Sequence, residues 1–221
     1  MNFLQLCQRV RQEAGISGSG PTTTVNQTGE MRRVVDWVQT AWLDVQNANP
    51  DWLWMQNVFS FSCTPTQAAY TPAQAGVTDF ASWNTDDMRV YSGTTANEYP
   101  MTFVPYADFK AVYMLGTIPT GRPTFFTVMP DKSLRFYPTP DAAYTIYGDY
   151  QKTASDLSGE TDTPGCPDRF HMIVVYGALK KYARYEAAAE VFEDASIEYK
   201  RFLSNLAQDQ LAEIGFAGPL A

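Results

Sequence analysis

One histidine and three cysteines are all that this 221-residue chain offers for soft metal ligation or thiol chemistry. Cys7, Cys63 and Cys166 lie far apart in the sequence. An odd number without close spacing is neither a disulfide framework nor a zinc site. Reduced thiols in a cytosol-made protein are the simple reading. His171 has no second histidine with which to build a two-histidine metal site. Long apolar runs are also missing: none approaches the ~18 residues that would cross a bilayer. Gln8, Arg9, Arg11 and Gln12 interrupt the first fifteen residues, which therefore do not read as a signal peptide. The expectation is a protein made and used in soluble form, with no membrane partner.

Positive charge is scarce as well. The net charge is −8, with 16 basic and 24 acidic side chains. Residues 1–50 balance four against four, residues 51–165 carry six basic and twelve acidic, and residues 166–221 carry six and eight. No basic cluster stands out that would neutralise phosphates, which disfavours tight nucleic-acid binding. Enzyme signatures are missing in the same way. There is no G-x-S-x-G elbow and no G-x-G-x-x-G or G-x-x-x-x-G-K-[ST] phosphate loop. Ser17-Gly18-Ser19-Gly20 has the glycines but no lysine, and reads as a linker. Cys166 and His171, five apart across a helix start, need not meet as a nucleophile pair. Asp86-Asp87, adjacent on a loop, read as solvated rather than as paired catalytic carboxylates. The chain is therefore not expected to be an enzyme, and no catalytic, cofactor-binding or metal-binding residues are assigned.

What the chain does have is aromatic: 13 Tyr, 13 Phe and 5 Trp. Tyr and Trp bury a ring while keeping a polar tip wet, which suits interfaces as well as cores. Their distribution follows an alternation of element types. Phe3, Leu6, Cys7, Val10 and Ala14 have helical spacing, and Gly15 suits the C-terminal cap. Residues 16–24 form a loop that can stay flexible until something binds it. Thr28 is a candidate N-cap for a longer helix whose apolar stripe is Met31, Val34, Val35, Val38, Ala41, Trp42 and Val45. Asn49-Pro50 stops it. Trp52 and Trp54 follow, either locking that helix against a β layer or forming a docking patch.

The middle then changes period. Val58, Phe59 and Phe61 suggest a strand, and residues 64–87 read as loop. Met88–Tyr91 and Met101–Val104 are short strand candidates, and a helix is expected over 105–113. Phe125–Met129, Leu134–Tyr137 and Tyr144–Tyr150 read as three strands joined by Pro130-Asp131-Lys132 and Pro138-Thr139-Pro140-Asp141. A helix led by Pro167 carries Phe170, Ile173, Val174, Gly177 and Ala178, the last two small enough for close helix approach. A final helix runs from about 187 to 214, and Phe216–Ala221 is a short apolar tail.

The fold class expected is α+β: terminal helices packed as a bundle, with an inserted antiparallel β-rich section. The domain edges are expected at 1–50 with 165–221 for the bundle, and 51–164 for the insertion with its one short helix. The simplest packing lets the β section project from the bundle.

The segment Leu134-Arg135-Phe136-Tyr137-Pro138-Thr139-Pro140-Asp141-Ala142-Ala143-Tyr144-Thr145-Ile146-Tyr147-Gly148-Asp149-Tyr150 resembles the L-x-F-x-P-x-P-x-x-x-Y-x-I-x-x-x-Y stretch of head-to-tail adaptor proteins of tailed bacteriophages. The start and end are similar too: a short helix, a Gly-rich loop, a long helix, the step Asn49-Pro50-Asp51-Trp52-Leu53-Trp54, then a proline-led helix with Gly177-Ala178 and a long charged helix. The resemblance implies a structural neck component of the virion, assembled in the host bacterial cytoplasm. It implies a homo-oligomeric ring, typically of twelve copies, below the portal protein, with tail or nozzle proteins as further partners and DNA passing through without specific binding. It brings no active-site residues and no cofactor. Phe216, Pro219 and Leu220 of the tail are expected to bind a partner, the portal. Part of the acidic middle is expected to face the channel, where it would repel phosphates and permit sliding. Two competing classes are a carbohydrate- or protein-binding β module of a phage tail, for which an exposed aromatic platform is expected, and a hydrolase with dispersed carboxylates, for which a cleft collecting acids from several segments is expected.

Overall fold

The computed structural model describes residues 1–18 and 20–211. It is an α+β protein. Its chain divides into two compact units, Met1–Met55 with Ala154–Ala221, and Gln56–Thr153.

The first unit is built on four helices: α1 (Phe3–Glu13), α2 (Gly29–Asn47), α4 (Met172–Tyr185) and α5 (Ala189–Gln210). Helix α1 starts on a reciprocal capping box, in which the Asn2 side chain accepts from the Gln5 N–H and the Gln5 side chain from the Asn2 N–H. It buries Phe3, Leu6, Cys7 and Val10. Gly15, at φ +68°, takes the left-handed position after its end. Helix α2 buries Val34, Val35, Val38, Ala41, Trp42 and Val45, the stripe its spacing predicts. Thr28 occupies its N-cap, yet its hydroxyl makes no cap bond. Helix α4 is central and packs on α1, α2 and α5. A Cβ added at Gly177 would lie 3.0 Å from Ala41 Cβ and 3.3 Å from the Tyr199 ring, so only glycine admits both neighbours at this distance. The expected Pro167 start differs in detail. A 3₁₀ turn over Asp168–Phe170 precedes α4, closed by Phe170 N–H to the Pro167 carbonyl at 2.8 Å and His171 N–H to that of Asp168 at 3.2 Å.

Two irregular segments are tied into this unit. Arg11 donates to the Ser17 carbonyl (3.0 Å), Gln8 to that of Pro21 (3.1 Å), and Glu160 accepts from the Thr23 hydroxyl and the Thr24 N–H. The loop expected to be free is thus stitched across the helices. Residues 154–164 are bound likewise. Phe3 N–H reaches the Asp162 carbonyl at 2.7 Å, and Gln39 donates to that of Leu157 at 2.8 Å. The Gln46 amide bonds both polar backbone groups of Ser155. Trp52 is 1% exposed in the helical core, stacked on Trp54 and donating from Nε1 to the Val45 carbonyl. It therefore locks the end of α2 into the helical core, so it packs inside rather than forming a docking patch. The cuts between units fall at Met55/Gln56 and Thr153/Ala154 because of these bonds.

The second unit holds nine short strands and helix α3 (Tyr106–Tyr113). One sheet runs β1 (Gln56–Ser62), β9 (Thr145–Lys152), β4 (Arg89–Ser92), β5 (Thr94–Pro100), with β3 (Phe80–Trp83) also on β9. The other runs β2 (Ala69–Tyr70), β8 (Leu134–Tyr137), β7 (Phe125–Val128), β6 (Thr102–Phe103), with β6 parallel to β7. Strand β9 alternates as its sequence predicts, burying Ile146, Gly148 and Tyr150. The inward rings of both sheets share one core: Phe61 lies 4.9 Å from Tyr70 and 6.3 Å from Phe136, centroid to centroid.

One expectation is corrected here. Residues 64–87 are not all loop, since they contain β2 and β3, and β5 lies between the expected strands. These three strands are very short or largely exposed, so little side-chain alternation marks them. The Pro138–Asp141 link joins β8 to β9 as expected, and these two strands belong to different sheets. Pro138 and Pro140 have no N–H to extend a ladder, and the chain crosses from one sheet to the other there.

Candidate functional site

The groups with chemical potential are inert where they stand. All three cysteines are buried, and burial pushes their thiols up, Cys7 and Cys166 to about 12 and Cys63 to about 11. That is the opposite of an activated thiolate. His171 is fully buried. The Met1 amino group donates to its Nδ1 at 2.6 Å, which leaves Nε2–H to donate to the Cys166 backbone carbonyl at 3.1 Å. Burial, then the nearby amino-terminal charge, hold this imidazole below the usual histidine range. The ring meets the backbone of Cys166, so the pair is a structural contact. Asp87 clamps Arg89 at 2.7 and 3.2 Å, while Asp86 stays exposed. Among the described residues no group of three or more His, Cys, Asp or Glu side chains could hold a metal ion.

Nor do the aromatics form a platform of tryptophan. Trp42, Trp52 and Trp83 are buried, and Trp37 and Trp54 are partly buried. The large apolar side chains left in solvent are scattered aliphatics and a few rings, such as Val58, Val112 and Leu115 in the β unit and Ile197 on α5.

Charge divides differently once the units are known. Asp51, Asp156, Glu160 and Asp162, counted above with the middle section, belong to the helical unit. The β unit then has six basic and eight acidic residues, and the helical segments ten and sixteen. Most of the acidic excess sits on the helical segments. Some of it is internal work: Asp162 accepts from the N–H groups of Gly159 and Ser158, which hold its carboxyl below the usual range.

Against this background one surface is basic. Lys180, Lys181 and Arg184 of α4 and Tyr199 of α5 line a cavity of about 170 Å³ floored by Ala41 and Gly177. Lys181 pairs with Asp44 at 2.8 Å. The Lys180 ammonium sits 4.5 Å from the centre of the Tyr199 ring, and the Arg184 guanidinium 5.1 Å from that of Phe192. Burial, then Arg184, Lys200 and Lys181, hold the Lys180 ammonium below the usual lysine range. Cation–π contact stabilises these charges without neutralising them. Lys180, Lys181 and Arg184, at i, i+1 and i+4 along α4, form a local group of cations, with Asp44 among them in the lining.

Phe216, Pro219 and Leu220, the expected partner-binding residues, lie outside the described residues. No curated protein matches the chain. A family model does match: the chain fits the model described as "SU10 adaptor protein" over residues 1–220 and belongs to that family.

Proposed function

We propose that the protein is a structural component of the phage neck, a head-to-tail adaptor that forms a ring below the portal protein and offers tail or nozzle proteins their assembly surface. The match of the adaptor family over residues 1–220 carries this reading. The lining of the DNA channel by this ring is part of the proposal, as are a ring of typically twelve copies and assembly in the host cytoplasm. So is the absence of an enzymatic activity, with which the buried, raised thiols and the locked imidazole agree.

The tail is assigned the portal contact through Phe216, Pro219 and Leu220. Short apolar segments of this kind can supply a contact to a larger partner. The channel surface is assigned to acidic side chains, now drawn mainly from the helical segments rather than the middle section. Electron microscopy of the purified chain mixed with a phage portal ring tests the placement. A ring of copies stacked on one end of the portal is expected, and monomers beside bare portals would rule the reading out. Deleting residues 215–221 is expected to abolish attachment; a truncated chain that still docks would remove the tail from the contact.

A further inference from the structure

The cations of the α4–α5 surface are short of partners within their own chain. Among the described residues Lys180, Arg184 and Lys200 make no ion pair, whereas Arg169, Lys181 and Arg201 each have an acidic partner. Carboxylates of α5 are equally unmatched: Glu190 and Asp194 are exposed and have no ion pair among the described residues. These two sets cannot meet in one molecule. Phe192 and Tyr199, seven residues apart, share the face of α5 turned toward Arg184 and Lys180. Glu190 and Asp194 each lie two residues from Phe192, about 160–200° round the helix from it at about 100° per residue. Ile197, 58% exposed, lies on the same outward side. One helix thus separates a basic pocket from an acidic ridge.

We infer that the basic pocket of one copy receives the acidic ridge of the next, Glu190 and Asp194 entering beside Lys180 and Arg184, in a head-to-tail contact between copies of this chain. It rests on the ring reading above and specifies that ring's subunit contact. A heterologous interface needs two different, complementary patches on each subunit, so placed that the contact repeats. Opposite faces of α5 meet that requirement, and the charges match across them. Ile197 adds an apolar side chain that is exposed in the single copy. The other anion of suitable chemistry is a nucleic-acid phosphate. It is disfavoured because Asp44 stands inside the pocket and the chain as a whole carries −8, which repels a polyanion.

The test uses the full chain. Lys180→Glu with Arg184→Glu makes both patches acidic, and Glu190→Lys with Asp194→Lys makes both basic. Each double variant alone is expected to need about tenfold more protein, or worse, to assemble on the portal. An equimolar mixture is expected to assemble, because acidic pockets then take basic ridges and basic pockets acidic ridges alternately round the ring. A second measurement does not depend on the portal. Arg184→Cys combined with Asp194→Cys in one chain is expected to give an oxidised ladder of dimers and higher species from concentrated protein, since the native cysteines are buried. The contact is overturned if each charge variant assembles like the wild type, or if oxidation leaves only monomer. It is equally overturned if Lys180→Glu with Arg184→Glu weakens retention of duplex DNA and leaves assembly unchanged. A double-cysteine chain that cross-links as expected, while the wild type forms no ring on the portal, would instead refute the neck placement and leave the contact standing.

Discussion

At the centre of the helical unit stands a glycine, and at the centre of the β unit a set of rings. Gly177 lets α2 and α5 approach α4 so closely that Ala41 and Tyr199 occupy the space a side chain would fill. Around it the buried residues are mostly aliphatic and small, among them Val34, Val38, Ile173, Val174 and Ala178. The β unit buries Phe59, Tyr70, Trp83, Phe126, Phe136 and Tyr150 instead. Several meet edge-on or tilted, Phe59 on Trp83 at 4.7 Å and Tyr70 on Phe136 at 5.7 Å. The difference follows from geometry. Helices with small residues at the crossing exclude water by nesting their backbones. Two sheets stand about 10 Å apart, and strands as short as two to eight residues offer few inward positions with which to fill that gap.

The largest effects should come from removing what each unit relies on most. Phe136→Ala in the β unit and Trp42→Ala in the helical unit each delete a ring that is 1% exposed. Each is expected to cost about 3–5 kcal/mol, read as a shift in the urea midpoint. Helical circular dichroism should fail early in the Trp42 variant. A Phe136→Ala loss below about 1 kcal/mol would mean that the rings do not hold the sheets together. Next comes the glycine comparison. Gly177→Val meets Ala41 and Tyr199 together and is expected to cost about 1–3 kcal/mol. Gly148→Ala on β9 would place its Cβ 3.3 Å from the Phe59 ring and 3.4 Å from the Asp87 carbonyl oxygen, contacts looser than the 3.0 Å at Gly177. Its cost is expected near about 1 kcal/mol. Equal costs would erase the distinction between backbone nesting and ring filling.

The helical unit was the more legible of the two. The apolar stripe of α2 and the small pair Gly177-Ala178 appear in the sequence as they appear in the core, because a 3.6-residue period survives over 19 residues. The β unit was legible only where strands were long enough to alternate, as in β9. Strands of two residues, such as β2, have no period to read and exist because β8 offers them a partner. The partition of β8 and β9 into separate sheets was hidden for the same reason: tertiary pairing decides it, and no local residue does. At the candidate site, Lys180, Lys181 and Arg184 were readable as a helical triplet. What concealed the pocket was the summed charge of the segment, which averages unpaired cations with acids on the other side of α5. That the rings of α5 cover cations while its carboxylates face away is settled only once α4 is known to be its neighbour.

The units should also separate on acidification. The single histidine belongs to the helical unit, and its folded value lies below the ordinary one, first through burial and then through the Met1 ammonium. The unfolded chain therefore takes up this proton before the folded one. Stability is fully present above the ordinary histidine value of about 6.5 and falls as pH drops below it. The slope for one proton is at most about 1.4 kcal/mol per pH unit. Asp168, the other charged group near the ring, favours the protonated form and moderates the fall. The β unit has no histidine and is expected to hold steady down to the carboxylate range. There Asp131, held low by bonds from the Ser133 hydroxyl and N–H, begins to lose its contribution as pH falls toward its folded value. Urea midpoints between pH 8 and 5 should drop for the wild type and stay flat in His171→Asn. A parallel slope in both proteins would assign the acid sensitivity to other groups.

The smallest contrast lies inside the helical unit and asks how much weight each of its first two helix starts carries in the fold. Asn2 and Thr28 both stand at N-caps, but only Asn2 uses its side chain, accepting from Gln5 N–H at 2.9 Å while Gln5 returns the bond. Asn2→Ala is expected to cost about 1 kcal/mol. The loss falls on α1, whose first turn is also bound through Phe3 and Leu4 N–H to the carbonyls of Asp162 and Glu160. Those two bonds satisfy donors that a cap would otherwise serve, which keeps the expected cost from the top of the usual range. Thr28→Ala removes no bond to the helix and is expected to cost a few tenths of a kcal/mol at most. Denaturation of the two variants side by side decides it. If Thr28→Ala proved the costlier, the start of α2 would depend on its hydroxyl after all, and the asymmetry between the two helix starts would be lost.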